Sequence, residues 1–322
     1  MSLKIGSLFS GYGGLDLAID GHVEWYSEIE PAACRVLEAH HGDTPNIGNV
    51  TQYGDCGCAE VIPWDHLPRV DVITAGYPCQ PFSQAGKRKG KDDERHLWPY
   101  VRDAIRVLQP AFAVLENVRG HLTLGLDIVL GDLADMGWDA RWGVVRASDA
   151  GAPHHRARVF IVAYPDSASG ETRQHAGHDG SRIRVESMGF ASPTADSDSN
   201  GYGRELHTRG VASVERQNEK TAREQQRTRG EPDTSGVAGY GKYQRAIERW
   251  EPIVGRRAPA PTMGDRKGRP QLNPVFVEWM MGLDEGWVTG HGLSRSQELK
   301  MLGNGVVPQQ ARLALSLLGG PV

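Results

Sequence analysis

Two periodicities of hydrophobic and polar positions alternate along the first half of the chain. Short apolar runs that end in glycine, proline or an acidic residue predict β-strands, and longer segments with apolar residues at helical spacing predict the helices between them. The predicted strands cover residues 4–9, 23–27, 70–75, 111–115, 140–146 and 158–162. The predicted helices begin at residues 15 and 31 and cover 97–108, 125–136 and, near the end of the chain, 308–318. This alternation is typical of an α/β fold with a Rossmann-like, doubly wound sheet.

The apolar pattern is interrupted in the middle of the chain. Between residues 166 and 246 only seven of 81 residues are Leu, Ile, Val or Phe, too few for burial to offset the entropy of ordering this segment. The net charge changes in the same place, from −6 over 1–163 to +3 over 164–270 and −1 over 271–322. We therefore expect a core at 1–163, a loosely ordered, net-basic region at 164–270, and a C-terminal segment at 271–322 that returns to the core.

Composition narrows the class of protein further. The 322 residues are 39% hydrophobic and 24% charged, which excludes fibrous, fully disordered and membrane classes. The chain has no run of about 18 apolar residues and no signal-peptide pattern at its start, so we expect a cytoplasmic protein with no membrane partner. Four cysteines do not make a disulfide scaffold in a chain of this size. Cys56 and Cys58, with His66 nearby, lack a second ligand pair at metal spacing, and we expect no metal.

A glycine-rich turn and an acidic residue follow the first two predicted strands. The carboxyl ends of strands are where a doubly wound sheet binds ligands. Glycines between Phe9 and Gly14 let the backbone approach a ligand closely, and the start of a following helix would favour an anion. Glu28, after the second strand, is placed to accept hydrogen bonds from ribose hydroxyls. Together they predict an adenosine-containing cofactor, and nicotinamide and flavin cofactors remain among the alternatives.

Reactive and charged residues follow the later strands. Cys79 lies between two prolines after the strand at 70–75, a rigid setting typical of a thiolate nucleophile rather than a core cysteine. The glycine-bounded loop at 86–91 carries four cations, which suit phosphate contact. Glu116 follows the strand at 111–115, where a buried carboxyl is costly unless it is paired or used. Arg158 opens the last strand of the core, as an ion-pair anchor or a ligand clamp.

The chain resembles the cytosine-C5 DNA methyltransferases in six motifs that occur in the family's order: SLFSGYGGLDLAI, SEIE, GYPCQPFS, ENV, HHRARVFIV and LGNGVVPQQ. The motif-bearing segments, 1–163 and 271–322, cover roughly two thirds of the chain, and PCQPFS followed by ENV is the most specific combination. The resemblance implies an S-adenosylmethionine-dependent core split by a target-recognition region at 164–270. It also implies methyl transfer to carbon 5 of a flipped-out cytosine in a specific double-stranded DNA sequence.

The resemblance assigns roles by position. Cys79 would add to carbon 6 of the cytosine, Glu116 would contact N3 and the exocyclic amine, Arg158 would hold O2, and Arg156 would support Arg158 or a phosphate. The residues implied to bind the cofactor are Phe9, Gly11, Gly13, Gly14, Leu15, Glu28, Ile29, Val50, Gly76, Pro78, Leu97, Asn304 and Val306. The residues implied to contact DNA are Gln80, Ser83, Lys87, Arg88, Lys89 and Lys91.

Two positions depart from the family pattern, and two other functions compete with DNA methylation. Ser7 and Asn49 stand where many members carry an acidic residue. An RNA-directed relative would share the cysteine and glutamate motifs, but the long region at 164–270 argues against it. A silent DNA-binding module would have no chemical need for Cys79 together with Glu116 and an arginine. We expect a monomer whose partners are double-stranded DNA and a cognate restriction endonuclease.

Overall fold

The computed structural model describes residues 2–54, 61–78, 97–166, 240–265 and 267–322. The strands are β1 (Leu3–Leu8), β2 (Gly21–Ser27), β3 (Tyr53–Gly54), β4 (Ile62–Pro63), β5 (Val72–Ala75), β6 (Phe112–Val118), β7 (Trp138–Arg146), β8 (Ala157–Pro165), β9 (Thr262–Gly264) and β10 (Pro270–Leu272). The helices are α1 (Pro31–His41), α2 (Trp98–Leu108), α3 (Leu126–Asp135), α4 (Gln244–Val254), α5 (Pro274–Met280), α6 (Arg295–Asn304) and α7 (Pro308–Leu318). None of these helices is long and apolar enough to cross a membrane.

Six strands form the central sheet, in the order β2-β1-β5-β6-β8-β7. The first four pair in parallel, whereas β8 is antiparallel to both of its neighbours. The predicted α/β, Rossmann-like sheet is confirmed, with one antiparallel strand that the pattern did not predict. Its cause is the short connection between β7 and β8, residues 147–156, because parallel neighbours need a crossover of roughly a dozen residues or more.

The prediction of a helix beginning at residue 15 is wrong. Only a 3-10 turn, Asp16–Ala18, forms there, and β2 begins shortly afterwards at Gly21. The glycine turn takes up much of the connection between β1 and β2, which leaves too few residues for an α-helix. Leu15 and Ile19 still bury their side chains against the sheet, so the apolar pattern that suggested a helix is satisfied by a single turn.

The sheet is covered on both faces. Residues such as Ile73 and Leu115 face one apolar cluster with α2 and α3, and Val72 and Val114 face a second cluster with α7. Because side chains alternate along a strand, polar residues at even spacing from Val72 and Val114 belong to the α7 face. This places Thr74 and Glu116 on the same face of the sheet, at the carboxyl ends of β5 and β6.

A third apolar cluster joins α1 to α4, α5 and α6. Trp250 and Trp279 are fully buried in it, and the indole N–H of Trp250 donates to the backbone carbonyl of Trp279. The described part of the 164–270 region therefore packs beside the C-terminal segment from residue 240 onward. Residues 167–239 lie outside the described residues, so the proposed three-part division of the chain stays a prediction.

Candidate active site

The glycine turn after β1 has a strained backbone. Phe9 has a φ of 56°, in the left-handed region that costs a non-glycine residue about 1–3 kcal/mol, and such strain concentrates at functional sites. Gly11 and Gly13 adopt positive φ angles of 58° and 79°. A Cβ on Gly14 would overlap the backbone carbonyl of Val306, so glycine at this position allows the C-terminal segment to approach the turn. The turn is thus shaped by contacts with the distant end of the chain.

Glu28 is held in place by backbone donors. Its Oε2 accepts a hydrogen bond from the N–H of Gly11 at 2.8 Å, and its Oε1 accepts from the N–H groups of Ile29 and Glu30, also at 2.8 Å. A carboxylate has about four acceptor positions, so capacity for a further donor remains. The adjacent Ile29 side chain is 67% exposed. A fixed carboxylate beside an exposed apolar side chain suits a ribose bearing a planar base.

A cavity of about 560 Å³ opens at the carboxyl ends of the parallel strands. Of the thirteen residues predicted to bind the cofactor, only Gly13 is absent from its described lining, and Glu116 and Arg158 are part of that lining. The structure therefore brings twelve of the predicted cofactor residues to one cavity with two of the four predicted catalytic residues, Glu116 and Arg158. Lining residues that the sequence pattern did not identify include Asp16, Thr74, Tyr77, Asn117, Gln297, Lys300 and Met301.

Glu116 and Arg158 form an ion pair within this lining. Arg158 Nε donates to Glu116 Oε1 at 2.8 Å, from neighbouring strands of the sheet. Glu116 belongs to β6 itself rather than following it, because the strand continues to Val118. Burial raises the pKa of Glu116 to about 7, although Arg158 and Arg156 oppose the shift. The carboxyl is consequently able to hold or release a proton near neutral pH.

Arg156 does not line the cavity. It has a φ of 31°, and its Nη2 donates to the backbone carbonyl oxygens of Gly303 and Gly305. Its Nε is buried without a hydrogen-bond partner in the structure as described. Arg156 thereby ties the start of β8 to the loop that carries Asn304, and its predicted support of Arg158 or of a phosphate stays a prediction.

The residues leading to Cys79 are anchored from two sides. Asn117 Nδ2 donates to the backbone carbonyl of Tyr77, and the Tyr77 hydroxyl lies 2.9 Å from His121 Nε2. The other ring nitrogen of His121 lies 3.1 Å from the carbonyl of Leu124, which can only accept. His121 therefore carries its proton on Nδ1, and the tyrosine hydroxyl donates to Nε2.

Several predicted site residues lie outside the described residues. They are Cys79, Gln80, Ser83, Lys87, Arg88, Lys89 and Lys91. Cys56 and Cys58 lie outside them too, and no group of three or more His, Cys, Asp or Glu side chains suited to a metal occurs among the residues that are described.

The fold and the cavity define an α/β protein with the fold of the S-adenosylmethionine-dependent methyltransferases. Two solved structures with this fold match nearly the whole chain: DNMT2 of Spodoptera frugiperda (TM-score 0.59, 16% identity, 99% of this chain and 100% of that chain) and Dnmt2 of S. pombe (TM-score 0.57, 16% identity, 98% of each). At this identity the likeness concerns the fold alone.

Sequence comparison identifies the family. The profile of the C-5 cytosine-specific DNA methylases matches residues 3–316, and the chain belongs to that family. A curated relative, the type II methyltransferase M.BsuFI of Bacillus subtilis, is 30% identical over 198 residues, which are 58% of this chain and 46% of that protein. The type II methyltransferase M.AquIA of Picosynechococcus is 31% identical over 206 residues, 54% of this chain and 80% of that protein. The chain spans about half the length of most of the curated relatives it matches.

Proposed function

We propose that this protein transfers a methyl group from S-adenosylmethionine to carbon 5 of cytosine in double-stranded DNA. The observation that carries the proposal is the Glu116–Arg158 pair, which lies in the same cavity as the glycine turn and Glu28. Family membership supports the reaction class. The curated relatives are named type II methyltransferases, which supports a cognate restriction endonuclease as a partner.

The size and the lining of the cavity support S-adenosylmethionine as the cofactor. Its volume, about 560 Å³, lies within the usual range for small-molecule sites. Glu28 keeps acceptor capacity for the ribose hydroxyls, and Ile29 offers an apolar surface for the adenine. Asn304 and Val306 complete the lining from the far end of the chain. When bound there, the cofactor would supply an electrophilic methyl group.

Cytosine carbon 5 is too electron-poor to take this methyl group without activation. We assign Cys79 as the thiolate that forms a bond to carbon 6, which moves electron density onto carbon 5 and toward ring N3. Glu116, whose pKa of about 7 lets it carry a proton near neutral pH, would donate to N3 as that density develops. Once carbon 5 has gained the methyl group, loss of its proton to water would expel the Cys79 thiolate from carbon 6. Return of the N3 proton to Glu116 would then restore the neutral ring and the starting carboxyl.

Arg158 has two tasks in this scheme. It would hold O2 of the cytosine, and its Nε already orients the Glu116 carboxyl at 2.8 Å. Because carbon 6 is hidden in a base-paired duplex, the target must leave the stack, at a cost of a few kcal/mol. The cationic loop at 86–91 would contact the DNA backbone around the extruded base, together with Gln80 and Ser83. We assign the recognition of a specific DNA sequence to the region at 164–270.

Bisulfite sequencing of DNA from cells that express the protein tests this function. We expect protected cytosines in one sequence context for the wild type and none for Cys79→Ala. Cys34→Ala is the matched control, because Cys34 lies in α1 and makes only weak hydrogen bonds of 3.4 Å through its sulfur. Methylation by the Cys79→Ala protein, or its loss in both variants at equal protein levels, would contradict the proposed mechanism.

RNA is the alternative substrate, and the same experiment distinguishes it. Bisulfite treatment of total RNA from the expressing cells would reveal modified cytosines there and none in DNA. If neither nucleic acid is modified while the protein still binds DNA, the silent binding module is the better description. Exchange of residues 166–270 for the corresponding region of a relative should move the methylated site, and an unchanged site would refute the role assigned to that region.

A further inference from the structure

A buried acid in the lining of the cavity has no cationic partner among the described residues. Asp16 is 7% exposed, and its oxygens accept hydrogen bonds from the hydroxyls of Ser7 at 2.7 Å and Thr74 at 2.5 Å. All three residues belong to the cavity lining. Ser7 and Thr74 are paired positions on β1 and β5, so the carboxyl bridges two adjacent strands of the sheet.

The two hydroxyls compensate only part of the cost of burying this charge. A buried carboxylate is normally paired with a cation or coordinated to a metal. No lysine or arginine of the described chain forms an ion pair with Asp16, and burial raises its pKa to about 6 despite both hydroxyls. His41 also lies nearby, because a Cβ built on Gly13 would be 3.7 Å from His41 Nε2 and 3.8 Å from Asp16 Oδ2. His41 is neutral at pH 8, since burial and His40 lower its pKa. At pH 8 the carboxylate is therefore ionised and has no counter-charge among the residues that the structure describes.

The order of the strands places Asp16 at a specific point along the cavity. Glu28, proposed to hold the ribose, follows β2, and Glu116, proposed to hold the cytosine, lies on β6. Asp16 bonds to β1 and β5, which lie between those two strands in the sheet. In the proposed donor, the group between the ribose and the target base is the positively charged sulfonium.

We propose that Asp16 is the counter-charge for the sulfonium, and that it makes the site prefer the cationic methyl donor over the neutral thioether product. This inference rests on the proposed function and concerns discrimination between two ligands of the same cavity. Transfer of the methyl group removes the positive charge, and the attraction to Asp16 is lost at that moment. The product then leaves a site that favours a fresh donor molecule.

Calorimetric titration at pH 8 tests the inference through binding, without any methyl transfer. The probes are S-adenosylmethionine, S-adenosylhomocysteine and sinefungin, which carries an ammonium group where the sulfonium lies. The variant is Asp16→Asn, whose amide can still bond to both hydroxyls. The matched control is Asp20→Asn, which removes the same charge from an exposed position that pairs with Arg312.

We expect Asp16→Asn to weaken binding of the two cationic probes by about tenfold or more, since partly buried charges interact strongly at an effective dielectric constant near 20. Binding of S-adenosylhomocysteine should change by less than about threefold, and Asp20→Asn should leave all three affinities near wild type. Equal weakening of all three probes would overturn the inference, as would no weakening at all. Failure of the wild type to bind any of them would instead refute the proposed cofactor.

Discussion

Replacement of Glu116 by glutamine should change the pH dependence of stability in a predictable direction. In the folded chain the pKa of this carboxyl is about 7, against an ordinary value of 4.5. Between these values the folded state holds a proton that the unfolded state has released. The free energy of unfolding therefore falls as the pH rises through this window, and glutamine, which does not titrate, removes that fall.

The magnitude follows from the two pKa values. A difference between 4.5 and about 7, at about 1.4 kcal/mol for each pH unit, corresponds to about 3 kcal/mol. The contribution of Glu116 is fully present below pH 4.5 and fully lost above about pH 7. Relative to the wild type, Glu116→Gln should thus gain about 3 kcal/mol between pH 4.5 and pH 8. Asp16, whose pKa is also raised, contributes equally to both proteins and cancels in the difference.

Urea denaturation followed by tryptophan fluorescence at pH 4.5, 6, 7 and 8 measures this difference. Glu248→Gln is the control, because Glu248 is exposed on α4 and accepts a hydrogen bond from Gln244. Its difference from wild type should stay within about 1 kcal/mol at every pH. A Glu116→Gln difference that is flat across the range would show that the carboxyl is not buried as a protonated group. The proposed proton donation to N3 would then lose its physical basis.

Two further substitutions test the supports of the cavity. Gly305→Ala should lower the free energy of unfolding by about 1–3 kcal/mol or more, because its Cβ would overlap the ring of Tyr12. Gly303→Ala is the control, since a Cβ there would meet open space, and its stability should be equal or higher. Urea midpoints that do not separate the two variants would refute the close approach of Gly305 to Tyr12. Tyr77→Phe should lower the free energy of unfolding by about 1 kcal/mol, because it removes the hydrogen bond between the hydroxyl and His121. It should also lower kcat severalfold with an unchanged cofactor Kd, since that bond fixes the backbone two residues before the proposed nucleophile. An unchanged kcat would limit the Tyr77–His121 pair to a structural role.

The parts of the fold that depend on local pattern could be predicted from the sequence. The strands of the central sheet, and helices such as α1 and α3, appear close to their predicted bounds because apolar periodicity and terminal glycine or proline are local signals. The antiparallel insertion of β8 was not predicted, because periodicity does not encode strand direction. Connection length held the information: the short link after β7 excludes a parallel crossover.

The candidate site shows the same division between local and distant information. The glycine turn, Glu28 and Glu116 could be predicted from the sequence, because their residue types occur at the ends of predicted strands. Asp16 could not be predicted in this way, because its proposed role depends on hydroxyl groups from two strands, one of which is 58 residues away along the chain. The ring nitrogens of His121 are a similar case, since only the folded chain shows that one of them accepts a hydrogen bond from the Tyr77 hydroxyl.

Two hydrogen bonds join the parts of the chain that lie on either side of residues 167–239. The Tyr12 hydroxyl donates to the carbonyl of Val306 across a separation of 294 residues, and Arg156 bonds to Gly305 across 149 residues. Both contacts join the core before residue 166 to the C-terminal segment after residue 270, and both use backbone carbonyls as acceptors. The described lining of the cavity also comes from these two parts of the chain alone, from residues 7–158 and 297–306. We therefore expect exchanges of the residues between them to leave these two contacts in place, as the role proposed for the region at 164–270 requires.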